Sequence, residues 1–210
     1  MTGNLPRKTF MYLVVIFCFV VNGCEKNRTH YYPDKEIPGV SIFSNTSNNV
    51  FSCFINGQPW KTIASTSAGF ISSTIYEVAI YLHRSSALMD TLSIVWLGDG
   101  YQKNNVASIS LTLPVAKNFN LKALSALQGK RLIIDSTNGF FAANNGYYGT
   151  TNTSPRGKGN IYFNTIQFDS TAANGYYGKI SGLMEATIDL LTITSGRFDD
   201  SIGPEQITGY

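Results

Sequence analysis

The stretch "VASISLTL" (residues 106–113) sets Ala107, Ile109, Leu111 and Leu113 against Ser108, Ser110 and Thr112. Strict alternation has the side-chain period of a half-buried β-strand, because successive side chains leave a pleated backbone on opposite faces. The pattern recurs along the chain. "TIYEVAIYLHR" (74–84) places Tyr76, Val78, Ile80 and Leu82 on one face. "TLSIVWL" (91–97) runs into Gly98-Asp99-Gly100, a turn signal. "VFSCFI" (50–55) is followed by Asn56-Gly57, a dipeptide suited to a tight hairpin because both residues tolerate positive φ. "QPWKTIA", "KRLIIDS", "NIYFNTIQFD", "KISGLMEATI" and "LLTITSGRF" continue the series.

One segment breaks it. "NLKALSALQG" spaces Leu121, Leu124 and Leu127 three apart, with Asn120 able to cap and Gly129 able to end a short helix. Many short strands with one short helix predict an all-β fold, an antiparallel β-sandwich, with a small β-barrel as the alternative. Residues 50–210 then form a single β domain, whose apolar fraction suffices for one core.

The N-terminus reads differently. Arg7 and Lys8 precede an apolar run over residues 10–21, too short for the roughly 20 residues a bilayer-spanning helix needs. A basic start, a short apolar middle and a small residue at the end predict a signal peptide, residues 1–23. Val21-Asn22-Gly23-Cys24 resembles the lipobox of bacterial lipoproteins. The resemblance implies cleavage before Cys24, lipidation of its thiol and a membrane partner. Two or more acyl chains make such an anchor durable. Residues 24–49, polar and with two prolines, then read as a lipidated N-terminus and flexible tether, though Val40-Ser41-Ile42-Phe43 is a patch that can dock. Loss of Arg7 and Lys8 takes the chain from 16 basic against 13 acidic residues to 14 against 13. With no basic patch left, no nucleic-acid partner is expected. Cys53, in an apolar strand, reads as a core residue.

At "FSCFINGQPWKT" the chain resembles a domain of unknown function found in many Bacteroidota lipoproteins. That domain opens with an aromatic-rich strand, Asn-Gly, one residue and Pro-Trp. It closes with strands matching residues 159–169, Ile180-Ser181-Gly182 and Ile193-Thr194-Ser195-Gly196-Arg197-Phe198. In this chain the third strand, "GLMEATI", lacks the aromatic usual after the glycine. The resemblance implies an exported all-β domain lipid-anchored to the cell envelope, in the outer membrane, with its leaflet undecided and no catalytic residues to transfer. Arg197 is expected to bridge Asp169 or Asp199.

No catalytic or metal-binding motif is present, so no cofactor and no enzyme activity are expected. Asp99, Asp135 and Glu185 are the acids from which a glycoside hydrolase pair would come. His83 reads as a surface residue. "AANNGYYG" (142–149) recurs as "AANGYYG" (172–178), presenting Tyr147, Tyr148, Tyr176 and Tyr177. With Trp60, Trp96 and Tyr101 these are the candidate ligand contacts, since aromatic rings stack on sugar faces and favour binding surfaces. The reading is a non-enzymatic binding or interaction module, for glycan or another envelope protein. Asp-Ser/Thr pairs make Thr91, Ser136, Ser170 and Ser201 candidate O-glycosylation sites, in a phylum known for modifying exported proteins there.

Overall fold

A computed structural model describes residues 30–62, 65–66, 74–84, 88–98, 106–144, 155–171 and 175–209. The strands are β1 (Val50–Ile55), β2 (Gln58–Lys61), β3 (Ser65–Thr66), β4 (Thr74–Ile75), β5 (Val78–His83) and β6 (Met89–Leu97). After β7 (Ser108–Ala116) comes a 3-10 helix, η1 (Leu121–Leu127). There follow β8 (Lys130–Ile134), β9 (Phe140–Asn144), β10 (Arg156–Thr171), β11 (Gly175–Ile188) and β12 (Leu191–Ile202), then β13 (Ile207–Thr208) after a 3-10 turn.

The protein is all-β with one short helix. One hydrogen-bonded path runs β13-β5-β6-β7-β9-β10-β11-β12-β1-β2, with β8 added beside β10, and β3 and β4 pair separately. Pairing along the path is antiparallel except for β13 on β5. β9 is the joint: it pairs with β7 over five residues but with β10 at only two positions, Arg156↔Ala142 and Gly157↔Phe141. The sheet curls there and its two arms face each other. Packing is that of a sandwich, while the continuous path makes the sheet a half-barrel.

Aromatic rings fill the space between the arms. Trp96 of β6 lies 5.2 Å from Phe51 of β1 and 5.4 Å from Phe198 of β12, centroid to centroid, and Phe198 lies 5.8 Å from Phe163 of β10. Such tilted and edge-on pairs add about 0.5–1.5 kcal/mol each beyond their area burial. The β2 end of the path approaches the end of β6 through a bridge between Thr62 and Gly98. Trp60 lies over Gly98, where a Cβ would fall 2.4 Å from its ring, so only glycine fits beneath the indole.

Local chemistry explains the turns. Asn56 and Gly57 take φ of 50° and 76°, the conformation of a two-residue hairpin whose twist matches its strands. Leu121, Leu124 and Leu127 repeat every three residues because η1 is a 3-10 helix, with Asn120 Oδ1 accepting the Lys122 N–H as its cap. Cys53 is buried in the core. The serines of β7 depart from the half-buried expectation: Ser108, Ser110 and Thr112 are buried too. β7 is a central strand, and these small side chains sit recessed between Val95 of β6 and Phe140 and Ala142 of β9.

The expectation of a tether reaching to residue 49 is corrected for residues 30–49, which lie against β12 and β1. Arg197 pairs with Asp34 and donates to the Ser41 carbonyl at 3.0 Å, in place of the expected bridge to Asp169 or Asp199. Asp199 is already taken: it accepts from the Ser44 hydroxyl and from the backbone N–H groups of Thr46, Ser47 and Asn48. Ser41 N–H donates to Ser52 Oγ at 2.7 Å. Of the predicted docking patch, Val40 and Ser41 are buried and Ile42 and Phe43 are exposed.

Candidate functional site

The expected aromatic contacts do not gather into one site. Trp60 is 1% exposed and Trp96 is 0% exposed, which removes both from the ligand-contact set. The Trp60 indole N–H is spent on the Val106 carbonyl at 2.7 Å, and that of Trp96 on Asp200 Oδ2 at 3.1 Å. Both tryptophans lie on inward faces of facing arms, so core packing claims them. Tyr177 is 42% exposed on β11, opposite Asp169. Tyr176 is placed by its backbone opposite Ser170, its side chain lying outside the description, and Tyr101, Tyr147 and Tyr148 fall outside the described residues.

A different surface carries the chemistry: the outer face of β8, β10, β11 and β12. β10 sends Ile161 and Phe163 into the core, leaving Lys158, Asn160 and Tyr162 outward. β11 buries Met184, Ala186 and Ile188 and leaves Leu183, Glu185 and Thr187 outward. Register brings these into cross-strand pairs: Lys158 with Thr187, Asn160 with Glu185 and Tyr162 with Leu183. On the other side, Asn160 meets Ile133 and Tyr162 meets Arg131.

Two bulges shape this face. Asn164 is an extra residue in β10, between Phe163↔Gly182 and Thr165↔Ser181. In β12, Thr194 and Ser195 together oppose the single residue Glu185, between Met184↔Gly196 and Ala186↔Ile193, and Ser195 takes φ of 52°. A bulge bends its strand and raises the local twist, which hollows a sheet face next to it. Two cavities lie there. One of about 260 Å³ is lined by Tyr162, Arg131, Ser195, Arg197 and, from the docked N-terminal segment, Ile37. The other, about 440 Å³, is lined by Asp135, Lys158, Thr187, Thr192 and Thr194. Asn160 and Glu185 line both, so the two form one furrow with that pair at its middle.

The electrostatics are mixed in sign. The Arg197 guanidinium, followed by the Glu36 and Ile37 N–H groups, holds the Asp34 carboxyl below the usual range at one end. At the other end, bonds from the Thr137 hydroxyl and N–H, and from the Asn138 N–H, hold Asp135 below it. Asp135 and Glu185 thus share a cavity, and the bonds to Asp135 Oδ1 close the turn after β8 around a carboxylate. Asp99 lies outside the described residues. His83 is an exposed residue stacked on Tyr81, 6.2 Å between centroids. Among the described residues no group of three or more His, Cys, Asp or Glu is placed to hold a metal, and no helix is long and apolar enough to cross a membrane.

The four candidate glycosylation residues sit in unlike places. Ser136 is in an exposed turn. Thr91 is half-buried between His83 and Pro114, and its neighbour Asp90 is fully buried against Arg84 and Lys117. Ser201 is half-buried, with its N–H given to Asn49 Oδ1, beside fully buried Asp200. Ser170 lies on β10, its side chain outside the description.

No family model, curated protein or solved structure matches this chain. The furrow residues Asn160, Tyr162, Lys158 and Arg131 were missed by motif reasoning. The signal for them was present: in "NIYFNTIQFD" the residues between the buried apolar ones form an outward polar set.

Proposed function

We propose that this chain is a cell-envelope lipoprotein, anchored at Cys24, that acts as a non-enzymatic binding module for glycan through the furrow across β8, β10, β11 and β12. The observation that carries the reading is the pair Asn160–Glu185 shared by two adjoining cavities, with Tyr162 beside it and threonines along one wall. Sugars are recognised by side chains that donate and accept within one shallow site, flanked by a ring on which a sugar face can rest. Amide, carboxylate, guanidinium, ammonium, hydroxyl and phenol groups all line this furrow. The anchor rests on the lipobox-like Val21-Asn22-Gly23-Cys24 and on the resemblance to envelope lipoprotein domains. With residues 30–49 packed on the domain, the six steps from Cys24 to His30 span at most roughly 20 Å. Such a module works close to the lipid surface rather than at the end of a long stalk.

A glycan array probed with the chain and with an Asn160→Ala/Tyr162→Ala variant tests the reading. The expected result is a restricted set of bound glycans, lost in the variant. Binding unchanged in the variant, or none in either, would count against it. Fractionation of cells making Cys24→Ala tests the anchor, with loss from the membrane pellet expected.

The shared cavity of Asp135 and Glu185 supports a second reading, a glycoside hydrolase. Assay of aryl glycosides with Glu185→Gln as the control separates the two, since hydrolysis abolished by that change would favour catalysis.

A further inference from the structure

The sheet path splits beside η1. β7 pairs with β9 from Ser108 to Thr112, after which Leu113–Ala116 has no strand on that side. β8 pairs with β10 and offers its other edge to the same gap. The resulting cleft, about 680 Å³, lies between β7, β8 and η1, and apart from Arg131 and Asn138 every residue lining it is apolar. Its size is within the range of roughly 300–1,000 Å³ typical of small-molecule sites. Ile133, on its wall, is 68% exposed.

Two features decide what suits it. First, both edges are blunted as strand templates. Pro114 has no N–H to offer, and on the opposite wall the Ile133 carbonyl accepts from Asn138 Nδ2 at 2.6 Å. An inserted peptide strand would lose ladder bonds on both sides, whereas an alkyl chain asks for none. Second, β7, η1 and β8 together contain Lys122, Lys130 and Arg131 and no acidic residue. Of these cations Arg131 lines the cleft, and its side chain has no hydrogen-bond or ion-pair partner among the described residues. Arginine's planar fork matches a carboxylate in two-point contact.

We propose that this cleft, which adjoins the furrow and shares Arg131 and Ile133 with it, is a second binding site, for a long-chain carboxylic acid. The alkyl chain lies among Val115, Phe119, Leu124 and Leu127, and the carboxylate is held by Arg131.

Titration of the full chain, in a Cys24→Ala background, with a pyrene-labelled long-chain fatty acid tests this, the methyl ester serving as the neutral control. Saturable binding of the acid is expected, at least tenfold weaker for the ester. Ala123 is exposed on the cleft wall, so Ala123→Trp fills the site without touching the core and should weaken binding at least tenfold. Arg131→Gln should bring the affinity for the acid down to that for the ester. Ile133→Glu, which sets a negative charge on the wall, is the second blocking variant should Ala123→Trp fail to fold, melting curves being the check. Absence of saturable binding, equal affinity for acid and ester, or affinity untouched by both blocking variants would overturn the proposal. So would displacement of the probe by an apolar strand-forming peptide but not by unlabelled acid.

Discussion

Asp200 is fully buried between the arms, and the substitution Asp200→Asn reads out its protonation state. The Trp96 N–H reaches Oδ2, while Oδ1 has no hydrogen-bond partner among the described residues. Burial pushes the carboxyl well above its ordinary range, against the Trp96 bond, and the Glu77 and Asp199 charges push the same way as burial. The folded chain therefore keeps the proton at pH values where the unfolded chain, near pKa 3.9, has lost it. The sign follows from linkage: with more protons bound in the folded state, stability falls as pH rises above about 4. The slope is about 1.4 kcal/mol per pH unit until the folded-state value is reached. Asn is nearly isosteric, leaves a carbonyl for Trp96 and cannot ionise. At pH 3.5 the two proteins should be within about 2 kcal/mol, since the protonated acid leaves one O–H donor unpaired and the amide the two of its NH2 group. From about pH 4 upward the variant should gain on the wild type steadily, until the folded-state value of Asp200 is passed. Urea unfolding followed by the fluorescence of the chain's two tryptophans, both in the core, measures this directly. Parallel stability curves, or a wild type that gains on the variant as pH rises, would show that Asp200 is charged in the folded state.

Other outcomes follow from the packing. Gly98→Ala sets a methyl group against the Trp60 ring and should cost about 1–3 kcal/mol, read as a lowered melting temperature. Burial pushes the Cys53 thiol up, so a thiol reagent should modify it at the rate of global unfolding and not faster. Arg197→Ala should raise hydrogen exchange across residues 30–48 while leaving β5–β7 unchanged. Because Asp34 is held low by Arg197, its contribution is present above about pH 4 and should be lost as pH falls below that, which the same exchange experiment would record.

Much of the fold could be read from residue order. Alternation in β5 and β7, the Asn56-Gly57 turn and the three-residue leucine spacing of η1 are local signals, and local geometry settled them. The furrow was harder to read for a physical reason. Asn160 meets Glu185 through a register that depends on the bulge at Asn164, and that bulge changes which residues of β10 face inward. Spacings such as Ile161, Phe163, Ile166, Phe168 carry that parity change, yet they do not say which strand lies alongside. Trp60 and Trp96 illustrate the opposite error: a tryptophan at a strand end suits a binding rim or a core equally until the curl of the sheet is known. The docking of residues 30–49 was hidden because its main anchor joins Asp34 to Arg197, across nearly the whole domain.

The furrow is tested most directly by following the chain's own resonances as a bound glycan is titrated in. Binding there predicts shift changes at the Asn160 side-chain amide, Tyr162, Glu185 and Thr192–Thr194, with β5–β7 still. Changes confined to the β5–β6–β7 arm, or a bound glycan that leaves Asn160 and Glu185 unmoved, would contradict it.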